Sequence, residues 1–525
     1  MSEHSPVVFA KRGIGRNWQR PLHALAAHWL LMVVAASAVA GPGAEAQAGR
    51  TQPPPVDDFV ARPRVVVISD IGNEPDDQMS LVRLLLYSNE LDIEGLIAAT
   101  STWQKTTTHP ETMHALIQAY GQVRGNLLLH AEGWPRASAL DAVVAPGQPG
   151  YGMAATGAGK SSPGSRELAA AILRNDPRPL WICLWGGANT LAQALLDLRQ
   201  SMPRDQLEAR LRKVRVSSIS DQDDAGPWIR REFPSIVYIV TPSEPNSTNY
   251  YAATWTGISG DRYYRNGEGA DFSFVTNEWL DANIRSKGPL GAKYPKYMFI
   301  MEGDTPSYLN LIGNGLDGAM HPDWGGWGGR SLWLQPYGET HPIWTQGGDE
   351  FARATTQDAV IGTDGREHVS DQATIWRWRS AFQRDFAARM DWTIRDFAHA
   401  NHPPIAVVNG QGGQAPIELD VKAGGTVTLD ASASHDPDHQ RLRFHWFLYP
   451  EAGLATEHGA EVALDGADSA VAHARAVSAC RPMWITGLVP CRGTGVMHIL
   501  LAVTDDGTPK LTAYRRVILH VRAEK

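Results

Sequence analysis

Residues 65–80 read VVVISDIGNEPDDQMS. Four β-branched residues, Val65 to Ile68, make a short strand that ends at Asp70. Gly72 lets the backbone turn tightly after it. Asp76 and Asp77 then open a helix whose apolar face runs through Met79, Val82, Leu85 and Leu86. Three carboxylates at the mouth of a buried strand need a reason, because like charges repel. One reading is local, since acidic residues complement the dipole of a helix start. The other is a hard divalent cation, Ca²⁺ or Mg²⁺, as no His or Cys stands nearby.

The same alternation of strand and helix continues to about residue 400. IEGLIAATS (93–101), NLLLHAE (126–132), PLWICLWGG (179–187), RKVRVSSISD (212–221) and YPKYMFIMEGD (294–304) read as strands. HPETMHALIQAYGQV (109–123), SRELAAAILRN (165–175) and NTLAQALLDLRQ (189–200) read as helices. This order implies an α/β fold with a mostly parallel sheet and helices on both faces. Sites in such sheets lie beyond the carboxyl ends of the strands. Asp70, Trp185, Asp221 and Asp304 all stand at or just after such ends, so they are expected to converge.

One long amphipathic helix, Ile375 to Phe397, closes this domain, and Pro403-Pro404 marks its boundary. TVTLDASAS, LRFHWFLYP, HILLAVTDDG and AYRRVILHV then follow as strands separated by turn residues. They read as a small antiparallel, Ig-like β-sandwich. The expected divisions are 1–46, 47–61 (linker), 62–402 and 403–525.

Residues 1–46 read as a signal peptide. Lys11, Arg12, Arg16 and Arg20 precede the apolar run ALAAHWLLMVVAASAVA, and small-residue cleavage sites end at Ala40 and Ala46. That predicts a secreted or periplasmic protein with no stable membrane insertion after cleavage. In an exported chain Cys480 and Cys491 are the expected disulfide, while Cys183 lies in an apolar strand. The 525 residues carry a net charge of −8 and no basic stripe, which argues against a nucleic-acid partner. Homo-oligomerisation is compatible with these features.

The first segment resembles the aspartate signature of the nucleoside hydrolases. WICLWGGANTLAQAL (181–195) is similar to their Gly-Gly-Leu-Thr-Asn segment, and MFIMEGDTPSYL (298–309) stands where they carry a late His-Asp pair. The wording SDIGNEPDDQMSLVRLLLYSNELDIEGL resembles more closely a secreted bacterial nucleoside-hydrolase-like group described as cellulose-binding. GGTVTLDASASHDPDHQRLRFHW with AVTDDGTP is similar to the sandwich modules of the polycystic kidney disease protein. The resemblance implies one Ca²⁺ on Asp70, Asp77, the Trp185 carbonyl and Asp304. It implies hydrolysis of a glycosidic bond, with Asp70 as base toward water and Asp76 holding a sugar hydroxyl. A small sugar, nucleoside or glycan would be the substrate, and a glycan-binding protein without turnover is the alternative. Departures fall at Ser69 for the family's first Asp, at the inserted Asn73-Glu74, at Thr102 for an Asn, at Asn189-Thr190 in reversed order, and at Gly303 for the late His.

Thr102, Asn189 and Glu302 are further expected substrate contacts from these positions. Asp223 and Asp224 join them, in SSISDQDDAGPWIRREFP (217–234), where the family has a Glu and an Asn. Trp228, and Trp324 and Trp327 in HPDWGGWGGR (321–330), are candidates for stacking on a sugar, with core packing the alternative. His321 is a lone loop histidine. YGMAATGAGKSSPGS (151–165) lacks phosphate-loop spacing and reads as a loop over the site. Asp436, Asp438 and Asp505 read as turn stabilisers or as holders of a structural Ca²⁺.

Overall fold

A computed structural model describes residues 62–243, 252–260, 269–347, 355–481 and 491–524. The expected signal peptide and linker lie outside them, as does Asn246-Ser247-Thr248, which has only the form of a glycosylation sequence.

The first domain is built on an eight-stranded sheet. Its strands are β1 Arg64–Ser69, β2 Asp92–Ala98, β3 Val144–Pro146, β4 Leu180–Leu184, β5 Val214–Ser220, β6 Val237–Thr241, β7 Leu332–Leu334 and β8 Ile343–Thr345. The order is β3-β2-β1-β4-β5-β6-β8-β7, parallel except for β7 on β8. β1 is buried along its whole length. Val65 and Val67 enter one core with helices α1 (Pro75–Leu85) and α2 (Pro110–Leu127). Val66 and Ile68 enter the opposite core with α3 (Pro163–Leu173) and α4 (Asn189–Ser201). A strand covered on both faces cannot alternate polar and apolar residues, which is why Val65 to Ile68 form a continuous apolar run. The chain leaves β1 toward β2 on one side and reaches β4 on the other. The switch point therefore lies between the carboxyl ends of β1 and β4.

Three expected elements differ. NLLLHAE is not a strand: α2 runs on to Leu127, because Leu127 continues the face of Met113, Leu116, Ile117, Tyr120 and Val123. The third strand is Val144–Pro146 instead. Residues 294–304 do not form a strand, as Glu302 turns into the left-handed region at φ 59° and its side chain is drawn into the core. The closing helix is α5, Arg379–Trp392, preceded by a separate turn at Ala373–Trp376.

After a hairpin of β9 (Asp358–Ile361) and β10 (Glu367–Ser370), residues 417–522 form a sandwich. Its strands are β11 Ile417–Lys422, β12 Thr426–Asp430, β13 Arg443–Tyr449, β14 Glu461–Asp465, β15 Val471–Ser478, β16 Thr494–Thr504 and β17 Thr512–Arg522. They pair as β11-β17-β16-β13 and β12-β15-β14, antiparallel save for β11 on β17. Trp446, Leu429, Ile499 and Val517 fill the space between the sheets. Cys480 and Cys491 are disulfide-bonded, and Cys183 is buried in β4. Among the described residues no helix is long and apolar enough to cross a membrane.

The sandwich packs directly on the first domain. Tyr449, Leu500 and Tyr514 belong to the same buried cluster as α1 and α5. Arg516 donates to the carbonyls of Leu316, Trp324 and Gly325 at 2.8, 3.2 and 3.0 Å.

Candidate functional site

At the switch point four carboxylates come together. Asp70 follows β1 directly, and Asp76 and Asp77 lie in the first turn of α1. Asp304 arrives from the loop after residue 300. Carboxylate oxygens of Asp76, Asp77 and Asp304 lie within 4.8 Å of one another. Asp70 shares a hydrogen bond with Asp77. Asp70, Asp77 and Asp304 are each 4% exposed, with Asp76 half-buried at the rim.

Several neighbours hold this arrangement. Ser69 Oγ donates to Asp77 Oδ1 at 2.5 Å and accepts from the Ile71 amide at 3.1 Å. Gly72 has φ 105°, and a Cβ there would meet the His109 ring at 2.6 Å. Gly186 lies so close to Asp70 that a Cβ would stand 2.9 Å from the Asp70 Cβ. The Trp185 carbonyl beside it accepts from Gln222 Nε2 at 2.5 Å, which leaves its second lone pair for another partner.

Electrostatics penalise this cluster when every carboxylate is ionised. Burial pushes Asp70 up to about 6. Asp76 is pushed up to about 8 by burial, then by the charges of Glu74 and Asp70. Asp77 and Asp304 are held well above the ordinary range by burial and then by their carboxylate neighbours. Asp304 Oδ2 is buried without a hydrogen-bond partner. Oxygen-only donors, mutual repulsion and an orphaned carboxylate oxygen suit a hard cation, and the carboxylate oxygens close enough together to share one belong to Asp76, Asp77 and Asp304.

The other expected contacts divide. Thr102 is buried beside the site, its amide donating to the Gln222 carbonyl at 2.8 Å. Asn189 Nδ2 donates to the Gly150 carbonyl at 2.7 Å, tying loop 150–152 to α4. Asp223 accepts from the amides of Asn189 and Ala225 at 3.0 and 2.9 Å, and Asp224 from Met153 at 2.8 Å. Both carboxylates thus fasten backbone at the flank of the site. Asp221 does not join the cluster, because Arg230 holds it in a two-pronged pair at 2.8 and 2.9 Å.

Four expected contacts are corrected. Glu302 is fully buried and paired with Arg83, with Tyr294 and Thr305 donating to it, so no atom of it reaches a substrate. Trp324 is 4% exposed, stacked on His321 with ring centroids 3.5 Å apart and edge-on to His498 of the sandwich. Trp327 is 2% exposed and edge-on to Phe382. Trp228 is half-buried between Phe233 and Arg199. Trp324 and Trp327 pack because neighbouring structure covers the loop carrying them, while Trp228 lies on the helix Ala225–Glu232 and packs along it.

Other residues at the site escaped the sequence reading. Gln104 Nε2 donates to the Asp70 carbonyl at 3.1 Å, and the Ser101 side chain hydrogen bonds to Asp70. A Cβ at Gly303 would stand 2.8 Å from Asp76 Oδ2 and 3.2 Å from the Trp255 ring, which places Trp255 beside the rim. Arg83 carried a signal, as a lone charge within the apolar run LVRLLLY. The glutamines and Trp255 carried none.

Residues 64–331 match the family "Cellulose-binding Sde182, nucleoside hydrolase-like domain", and residues 426–521 match "Cellulose-binding protein Sde0182, C-terminal domain". A nucleoside hydrolase-related hypothetical protein from Saccharophagus degradans, associated with carbohydrate metabolism, is 34% identical. The match covers 88% of this chain and 100% of that one, at a TM-score of 0.70. The PKD domain of the KIAA 1837 protein is 22% identical over 21% of this chain and 82% of that one, at 0.14. The type III effector XopQ, complexed with adenosine diphosphate ribose, is 13% identical over 64% of this chain and 96% of that one, at 0.31. No curated protein matches. With its parallel sheet, its carboxylates at the switch point and its C-terminal sandwich, this chain belongs to the cellulose-binding Sde182 family of nucleoside-hydrolase-like proteins.

Proposed function

We propose that the protein is an exported, Ca²⁺-dependent hydrolase of a glycosidic bond in a sugar or glycan that presents vicinal hydroxyls. The observation that carries this reading is the convergence of Asp70, Asp76, Asp77 and Asp304, with Asp304 Oδ2 left without a hydrogen-bond partner. Asp70, Asp77, Asp304 and the Trp185 carbonyl would hold the ion. When bound, Ca²⁺ supplies the positive charge that lets the carboxylates share one site, acidifies water and orients a diol. Asp70 takes the proton from water as oxygen attacks the anomeric carbon. Asp76, at the rim, accepts a hydrogen bond from a sugar hydroxyl. The bond to the leaving group breaks as positive charge builds on the sugar, the leaving atom takes the bonding pair and then a proton from solvent while Asp70 returns its own proton to solvent, and the surrounding carboxylates stabilise the charge on the sugar.

The Sde182 family description supports a glycan as ligand. It also favours a second reading, glycan binding without turnover, because Gly303 stands where nucleoside hydrolases carry a histidine. One experiment separates the two. Sugar release from ribosides and cello-oligosaccharides is assayed with Ca²⁺, beside Asp70→Asn. Release that the variant abolishes supports the hydrolase. Glycan binding with no release by either protein leaves the binding reading, and calorimetry showing no Ca²⁺ uptake removes the ion from both.

A further inference from the structure

We infer that Trp103 is the platform on which a pyranose ring of the glycan stacks at the mouth of the carboxylate cluster. The inference rests on the glycan reading above and concerns how the glycan is held.

Among the described residues Trp103 is the one exposed tryptophan, at 42%. It sits in the turn Ser101–Gln104, three residues past the end of β2 and beside the switch point. That turn is closed on itself. The Ser101 amide donates to the Gln104 carbonyl at 2.9 Å, and Ser101 Oγ accepts from the amides of Trp103 and Gln104 at 3.0 and 3.1 Å. It is also fastened to the cluster. The Ser101 side chain bonds to Asp70, and Gln104 Nε2 donates to the carbonyls of Asp70 and Ile71 at 3.1 and 3.4 Å. The Thr102 amide donates to Gln222, whose side chain reaches the Trp185 carbonyl. Trp103 is thus carried on a turn tied to the floor of the site, and part of its apolar surface is exposed there. Such exposure costs free energy that a ligand recovers on binding.

The surroundings select the ligand. A pyranose ring offers C–H bonds on its face and hydroxyl donors around its edge. An indole face suits the first, and the acceptor-rich rim at Asp76 suits the second. Tyr151 lies alongside, its hydroxyl bonded to Thr102 and its ring 4.9 Å from Lys105 Nζ. A departing nucleobase asks instead for a proton donor, and Gly303 supplies none.

The test titrates cellohexaose into the Ca²⁺-loaded full chain by calorimetry, for the parent, Trp103→Ala and Trp103→Phe, with Ca²⁺ titrated separately into each. The expected result is binding about tenfold weaker in Trp103→Ala, most of it recovered in Trp103→Phe, and unchanged Ca²⁺ affinity. Cellohexaose binding unchanged in Trp103→Ala overturns the platform and leaves the Ca²⁺ hydrolase reading standing. Lost Ca²⁺ affinity in Trp103→Ala also overturns it, since the residue then only supports the Asp70 turn. Adenosine, run in parallel, overturns the sugar assignment if its affinity falls more than that of cellohexaose. A parent that binds no cellohexaose removes the glycan reading itself.

Discussion

Arg83 grips Glu302 across 219 residues of chain, with Nε to Oε2 at 2.5 Å and Nη2 to Oε1 at 3.1 Å, both side chains fully buried. Arg83 stands on α1, whose first turn carries Asp76 and Asp77, and Glu302 lies two residues before Asp304. The pair therefore sets the spacing between two carboxylate-bearing segments. Arg83 also lies over the Phe386 ring, 4.0 Å from its centroid, which joins α5 to the same support.

Removing one partner leaves the other charge buried without its counter-charge. Glu302→Ala is expected to cost about 3–5 kcal/mol in unfolding free energy. Arg83→Met combined with Glu302→Leu is expected to cost less than the two single changes together. Urea denaturation measures both. In a folded Glu302→Gln variant, Ca²⁺ affinity should fall because Asp304 is no longer held against Asp77.

Gly303→His would restore the residue type that nucleoside hydrolases carry at this place. The new Cβ meets Asp76 Oδ2 at 2.8 Å and the Trp255 ring at 3.2 Å, so Asp76 must move. Riboside hydrolysis by the variant is therefore expected to stay at or below that of the parent. A gain in inosine or adenosine turnover would show that Asp76 yields without loss.

Much of this was legible in the sequence, for physical reasons. Val65 to Ile68 announce a strand buried on both faces because every side chain is apolar. Asp70 was legible because strand ends in a parallel sheet point to one edge, and Asp77 because it opens the helix that follows, whereas Asp304 reaches the cluster from a loop and not from the strand expected there. Glu302 was misread beside the correctly placed Asp304: its partner Arg83 lies 219 residues away, and no local pattern reports it. The tryptophans show the same limit. Trp324 and Trp327 look exposed in a glycine-rich loop until the sandwich and α5 cover them. Trp103 has no such flanking glycines, and among the described residues it is the one exposed tryptophan. Which indole is covered is a tertiary fact.

The two domains are expected to unfold together. Asp358, fully buried, pairs with Arg330 and Arg377 at 2.9 and 2.8 Å and accepts from Tyr449 Oη of the sandwich at 2.6 Å. Tyr449 also packs edge-on to Trp378, and Tyr514 lies 5.6 Å from the same ring. Scanning calorimetry should show one transition for the full chain. Residues 62–402 alone should be poorly soluble, because Trp378 and its neighbours would face water. Tyr449→Phe should lower stability by about 1–2 kcal/mol through the lost bond to a charged group.

Stability of the metal-free protein is expected to fall as pH rises. Asp70 has a folded-state value of about 6, above its unfolded value of about 4, so the neutral acid is the form that folding favours. Its contribution is fully present below about pH 4 and is lost as pH rises through about 6. Asp76, at about 8, extends the decline to mildly alkaline pH. Asp70→Asn removes the ionisable group, so in EGTA the melting temperature of the variant relative to the parent should climb from pH 4 to pH 7. Ca²⁺ favours the ionised carboxylates and should act oppositely, raising the parent's melting temperature most at the alkaline end. Thermal melts of both proteins across pH 4–9, with Ca²⁺ and with EGTA, measure the four curves. Parent and variant curves that run parallel in EGTA would mean that Asp70 titrates as an ordinary carboxylate, and that the cluster bears no electrostatic penalty for an ion to relieve.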